Sequence, residues 1–239
     1  MRAGSWENLR AFEEHGISPT GILVHMEEAL TPSRGTQAQG GSARLTLLVF
    51  VSGPPGAAKS TLARALSQRH GLFLVSMDLV KAGIAFSMAA NGRGDSYSVS
   101  KMGGPAGRQS FPAGYDIVEV ALRNGVSLLL EKAWRRGLDE PKLSRFMPMA
   151  VTAQVHVTTT QGIAWEARRS RTQHPGVATP AEIDAKLAAG DLRWEDFGPL
   201  DLGVPLYTVD TSGNMPVNLA AVEAMLRTVF ATSGQRPGA

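Results

Sequence analysis

The stretch that most constrains this chain is Gly53-Pro54-Pro55-Gly56-Ala57-Ala58-Lys59-Ser60-Thr61. It follows Leu45–Val51 (LTLLVFV), a continuous apolar β-prone run of the kind buried on both faces of a parallel sheet. It opens Ser60–Arg69, in which Leu62, Ala63, Ala65 and Leu66 fall on one helical stripe. A strand that turns through two glycines into a helix aims the N–H groups of the turn and of the helix start at one small volume. That volume suits phosphate oxygens. Lys59 is long enough to reach β- and γ-phosphates, and the Ser60 hydroxyl can ligate Mg²⁺. Gly53 and Gly56 allow close backbone approach. Gly53, Pro54, Pro55, Gly56, Ala57, Ala58, Lys59, Ser60 and Thr61 are therefore the candidate nucleotide contacts. Ala58 stands where the pattern G-x-x-x-x-G-K-[ST] has glycine, and alanine is harmless there only at negative φ with room for its methyl group.

Beyond the loop, apolar β-prone runs alternate with helical periodicity. Further strands are expected at Leu72–Val75, Val126–Leu130, Ala153–Val157 and Leu206–Val209. Helices are expected over Tyr115–Arg123, from the fourth strand through Trp165 and Arg171, and over Leu219–Val229. Thr179-Pro180-Ala181-Glu182 reads as a capping box with proline at the first helical position, and that helix stops at Gly190. Strands separated by helices imply a mainly parallel sheet covered on both faces. Residues 5–30 read as two short helices and 31–44 (TPSRGTQAQGGSAR) as a flexible linker. The expected division is a helical extension with linker over 1–44, a domain over 45–231 and a disordered tail over 232–239.

Composition narrows the chemistry. The 239 residues contain no cysteine, which excludes a disulfide framework, a thiolate metal site and a thiol nucleophile. The 24 basic and 21 acidic residues leave only +3, too little to argue for nucleic acid from field strength. No apolar run reaches the roughly 18 residues of a membrane helix, and Met1–Arg10 lacks a signal-peptide core. No nucleic acid or membrane partner is expected, a cytoplasmic location is, and oligomeric state stays open.

The segments GPPGAAKST, SMDLVKAG, VSLLLEKAW, WEARRSRTQ and LYTVDTSG, in that order, resemble the small-molecule kinase branch of P-loop proteins, which includes chloramphenicol phosphotransferase and zeta-toxin-type kinases. The resemblance spans roughly residues 45–230. It implies a three-layer α/β P-loop NTPase kinase-type fold, with a mainly parallel five-stranded sheet and helices on both faces. It also implies an ATP- and Mg²⁺-dependent phosphotransferase acting on a hydroxyl of a small molecule, an antibiotic or other natural product among the candidates. Kinases of zeta-toxin type, acting on nucleosides or nucleotide sugars, and a non-catalytic nucleotide-binding module are the alternatives.

Individual roles follow from the same resemblance. Asp78, just after the second strand, is the candidate base, because a carboxylate beside a hydroxyl can take its proton during phosphoryl transfer; the alternative is a helix cap for Leu79 onward. Glu131, ending the third strand, is the candidate Mg²⁺ ligand, directly or through water, although the family more often has Asp there. Its alternative is an ion pair with Lys132 or a nearby Arg. Arg168 and Arg171 share a helix face where this branch carries its arginine-bearing lid and are the candidate phosphate clamps, ahead of Arg169. Residues 89–115, rich in glycine and small residues, read as a mobile loop beside the acceptor. Asp210-Thr211-Ser212-Gly213 resembles the family's turn near adenine. His156, inside an apolar strand, reads as a satisfied core histidine, and Trp134, Trp165 and Trp194 as packing residues.

Overall fold

Side chains alternate along β1 (Leu47–Ser52), and that alternation splits the core in two. A computed structural model describes residues 46–91, 105–169, 179–191, 193–213 and 219–233. The expected helices over 5–30 and the linker over 31–44 lie outside them, as do residues 234–239 of the expected tail. All six residues of β1 are buried. With β2 (Phe73–Ser76), β3 (Leu128–Glu131), β4 (Val151–Thr158) and β5 (Leu206–Asp210) it forms a five-stranded sheet, order β2-β3-β1-β4-β5. Every pairing is parallel.

On one face Leu47, Val49 and Val51 pack with Leu62, Ala63 and Leu66 of α1 (Lys59–His70), and with Val222, Leu226 and Val229 of the C-terminal helix over Leu219–Ser233. On the other, Leu48 and Phe50 pack with residues of two further helices. These are α2 (Met77–Ala90), through Met77, and α3 (Pro105–Arg123), through Tyr115, Val118 and Leu122. Trp134, Leu143 and Phe146 join the same cluster. Two helical layers thus sandwich the sheet, as expected for strands joined by helical crossovers. No helix among the described residues is long and apolar enough to cross a membrane.

After β3 the chain makes α4 (Glu140–Leu143) and a 3₁₀ turn (Ser144–Met149). After β4 come α5 (Gln161–Arg169), α6 (Pro180–Ala188) and a 3₁₀ turn (Trp194–Phe197). The expected capping box is present: Glu182 N donates to Thr179 Oγ1 at 3.2 Å, and Thr179 N donates to Glu182 Oε2 at 2.8 Å. The packing roles expected of the tryptophans hold as well. Trp134 is fully buried, and Trp165 meets Trp194 edge-on at 6.1 Å between ring centroids.

One expectation is corrected. The stretch over residues 89–115 is not loop to its end, because α3 begins at Pro105. Pro105 stands at the helix start, where its fixed φ costs nothing. Packing overrides the low helix propensity of Gly107 and Gly114: Gly114 sits against the Met77 side chain, where a Cβ would collide with Met77 Sδ. Residues 92–104 of this stretch lie outside the described residues.

Candidate nucleotide and phosphoryl-transfer site

Parallel strands place all their carboxyl ends on one edge, and the register gathers the polar residues there. Glu131 lies opposite Val51 of β1 and Ser76 of β2, and Ser52 lies opposite His156 of β4. The loop over residues 53–58 leaves β1 at this edge and feeds α1.

The loop is held by close backbone packing. Gly53 has φ of 133° and Gly56 has φ of 90°. A Cβ at Gly53 would run into the Val157 carbonyl oxygen, and one at Gly56 into the Ala164 carbonyl oxygen of α5. Only glycine fits either place. Ala57 N donates to Pro54 O at 3.3 Å, and Lys59, a residue 6% exposed, donates from its ammonium to the same carbonyl at 2.8 Å. The lysine therefore arches back over its own loop. The N–H groups of Gly56 and Ala58 find no acceptor among the described residues.

Ala58 departs from the condition set by its sequence. It adopts φ 63°, ψ 20°, the left-handed conformation, as the residue preceding α1. It is the one non-glycine residue at positive φ among the described residues. The backbone keeps the shape that glycine normally supplies, and alanine carries the strain, on the order of 1–2 kcal/mol.

Glu131 is the best-built side chain of the site. It is 2% exposed and accepts two hydroxyl hydrogen bonds, from Ser76 Oγ at 2.7 Å and from Ser60 Oγ at 3.2 Å. Burial pushes its carboxyl above the usual glutamate range, and the nearby Asp78 charge adds to this. Lys59 and the two serine hydroxyls pull the other way. The ion pair with Lys132 that the sequence left open is not formed. Lys132 instead bridges to Asp139 at 3.0 Å, lying 4.3 Å over the Phe111 ring and 4.7 Å over Trp134. Burial lowers the Lys132 ammonium's affinity for its proton, and Asp139 partly restores it. Burial also raises Asp139, but Lys132, the Arg135 N–H and Lys142 outweigh it and hold its carboxyl below the ordinary value.

Asp78 lies in the first turn of α2, exposed at the same sheet edge. The helix starts at Met77, so Asp78 stands inside the first turn rather than at a cap for Leu79 onward. Its carboxylate makes no hydrogen bond or ion pair with the described residues. Ser76, which precedes the helix, spends its hydroxyl on Glu131. Arg168 falls in the last turn of α5, and Arg171 lies outside the described residues.

Behind the loop runs a buried polar chain. Gln154 brackets the Leu200 backbone, donating to its oxygen at 3.1 Å and accepting from its nitrogen at 2.9 Å; it also accepts from Ser52 Oγ at 3.2 Å. The Ser52 proton being committed there, Ser52 Oγ accepts from His156 Nδ1–H at 3.0 Å. Burial, reinforced by Lys59, drops the imidazole to about 4, so it stays neutral. The satisfied core histidine read from the sequence is what the structure contains.

Sequence reasoning passed over Ser76 and the Lys132–Asp139 pair. No spacing rule reveals either, because their partners are brought in by strand register and by the turn after β3. Thr211 lay inside a flagged segment, but its contacts were not foreseeable: its hydroxyl sits 3.0 Å from Thr158 O and 3.3 Å from Ala57 O.

Strand order, layers and loop together define an α/β domain of the three-layer P-loop kinase type. The chain is similar to the structure of a presumed kinase from Chloroflexus aurantiacus, at 24% identity and a TM-score of 0.62, over 77% of this chain and 98% of that one. It is more remotely similar to a sugar kinase from Janibacter, at 14% identity and TM-score 0.49, over 80% and 99% of the two chains. A gluconokinase from Sinorhizobium meliloti matches at 14% identity and TM-score 0.45, over 81% and 95%. No protein-family model matches the chain, and no curated protein does.

Proposed function

We propose that this protein is an ATP- and Mg²⁺-dependent phosphotransferase that moves the γ-phosphoryl group to a hydroxyl of a small molecule. One observation carries the reading. A phosphate loop with two unpartnered N–H groups, a buried carboxylate bonded to Ser60, and an exposed carboxylate at Asp78 all stand on one sheet edge. The kinase designation of the structurally similar Chloroflexus protein agrees with it.

The residues fit the nucleotide and the metal. Ser60 directs its proton to Glu131, which leaves the hydroxyl lone pairs available for a cation. Ser60 and Glu131 would hold Mg²⁺, which supplies neutralisation of phosphate charge when bound. The loop N–H groups bind and orient the phosphates, and Lys59 places its charge on the terminal ones. Asp78 accepts the proton of the acceptor hydroxyl as its oxygen forms a bond to phosphorus and the bond to the β,γ-bridging oxygen breaks. Arg168 and Arg171 are assigned the lid role of spreading positive charge over the transferred group.

The test is incubation with Mg²⁺, γ-labelled ATP and a panel of sugars, hydroxy acids, nucleosides, nucleotide sugars and hydroxylated antibiotics, in wild type, Asp78→Asn and Lys59→Ala. Transfer to one acceptor class is expected, abolished in Asp78→Asn with nucleotide binding intact, and lost with nucleotide binding in Lys59→Ala. The strain at Ala58 favours a second reading, a nucleotide-binding module without turnover. Nucleotide binding without transfer to any acceptor would select it.

A further inference from the structure

The left-handed Ala58 needs a physical account, because alanine in this conformation is disfavoured and the loop has no glycine at that point. The residue before it supplies one. The single Thr211 hydroxyl proton is shared between two carbonyls, Ala57 O at 3.3 Å and Thr158 O at 3.0 Å. Thr211 is itself pinned, its N–H donating to Thr158 O at 2.9 Å directly after β5. Thr211 thus bridges the carboxyl ends of β4 and β5 to the last peptide of the phosphate loop.

That peptide is planar and trans, as no cis bond occurs among the described residues. Its C=O and N–H therefore point in opposite directions. Holding the Ala57 oxygen toward Thr211 turns the Ala58 N–H to the other side, and this N–H has no acceptor among the described residues. The orientation of that N–H is what an anion-binding turn requires.

We propose that Thr211 is a positioning residue that replaces the missing glycine: its hydroxyl holds the Ala57–Ala58 peptide in the orientation that presents the Ala58 N–H to a nucleotide phosphate. In a loop with glycine the left-handed conformation is accessible without help. Here a tether from the far end of the sheet maintains it. This inference rests on the nucleotide-binding reading above, and it adds a residue from the segment after β5 to the phosphate loop.

The experiment is a double-mutant cycle over Thr211→Val and Ala58→Gly, with Thr211→Ser as the conservative rescue. Two readouts are used: affinity for a fluorescent ATP analogue, and unfolding in urea without nucleotide. Valine keeps the shape of threonine and removes the hydroxyl. In the wild-type background Thr211→Val should weaken nucleotide binding about tenfold, because the relaxed Ala58 must re-enter the left-handed region on binding. In the Ala58→Gly background the same change should cost about threefold or less, and Thr211→Ser should bind like wild type. The stability cycle runs with the opposite sign. Removing the tether from the wild-type chain also relieves the Ala58 strain, so Thr211→Val should lower the urea midpoint less there than in Ala58→Gly.

Equal losses in both backgrounds, in both readouts, would overturn the proposal, and so would a Thr211→Val variant that binds nucleotide like wild type. A wild-type protein that binds no nucleotide would sink the proposed function instead, and the urea cycle alone would then decide whether Thr211 holds Ala58.

Discussion

Replacing Glu131 by glutamine separates what its charge does from what its shape does. The carboxylate is buried, takes hydrogen bonds from Ser60 and Ser76, and is held above the usual glutamate range because burial outweighs the attraction of Lys59. A carboxyl group whose affinity for a proton is raised on folding contributes stability below its unfolded value of about 4.5, and loses that contribution as pH rises through the folded value. Glutamine keeps the volume and an acceptor oxygen, its amide can donate to one of the rotatable serine hydroxyls, and it never ionises. Glu131→Gln is therefore expected to stay within about 1 kcal/mol of wild type at pH 5, and to gain on it toward pH 8. Glu131→Ala instead strands two hydroxyls and opens a void. It should cost about 2–4 kcal/mol, or roughly 5–15 °C in Tm for a chain of this size. Function should run the other way. With Glu131 in the proposed role of Mg²⁺ ligand, losing its charge is worth several kcal/mol, so the gain in nucleotide affinity on adding Mg²⁺ should fall about 100-fold or more in Glu131→Gln. Thermal melts at pH 5, 6.5 and 8, with nucleotide titrations at varied Mg²⁺, read both. A glutamine variant as unstable as the alanine one at every pH would show that the charge is needed for folding. A glutamine variant that retains the Mg²⁺ effect would overturn the proposed metal role of Glu131.

Two further outcomes follow from the geometry. Gly53→Ala puts a methyl group against the Val157 backbone at a φ that alanine rarely adopts, so it should cost at least about 2 kcal/mol and abolish nucleotide binding, read by melting temperature and titration. His156, ordinary value 6.5 but about 4 when folded, leaves the unfolded chain binding more protons between those values. Stability should thus be full above pH 6.5 and fall by roughly 2–3 kcal/mol toward pH 4; urea midpoints at pH 4.5, 5.5 and 7.5 should show this slope flattened in His156→Gln.

Much of the fold was legible because its signals are local. The apolar run of β1, the stripe of α1 and the box at Thr179 and Glu182 are set by neighbours within a few residues, and each element formed where it was expected. Strand ends shifted by one or two residues. The start of α3 at Pro105 was hidden by glycines, whose local preference was overruled by contact with α2. The places of the loop residues between β1 and α1, and of Asp78 directly after β2, were also readable, since motif spacing and a place after a strand are one-dimensional facts.

What remained belongs to three dimensions. The sequence by itself determined the strand–loop–helix unit, the layered α/β class and the residue types in the loop between β1 and α1, because hydrophobic periodicity and turn chemistry act over short distances. Tertiary structure alone decided three further things. It gave Glu131 the two serines rather than Lys132: register sets Ser76 of β2 opposite it, and the loop from β1 into α1 brings Ser60 to it. It turned Lys132 to Asp139 in the turn that follows β3. It held Ala58 left-handed against the backbone preference that its own identity encodes, next to an Ala57 carbonyl that the Thr211 hydroxyl meets from 154 residues away in sequence.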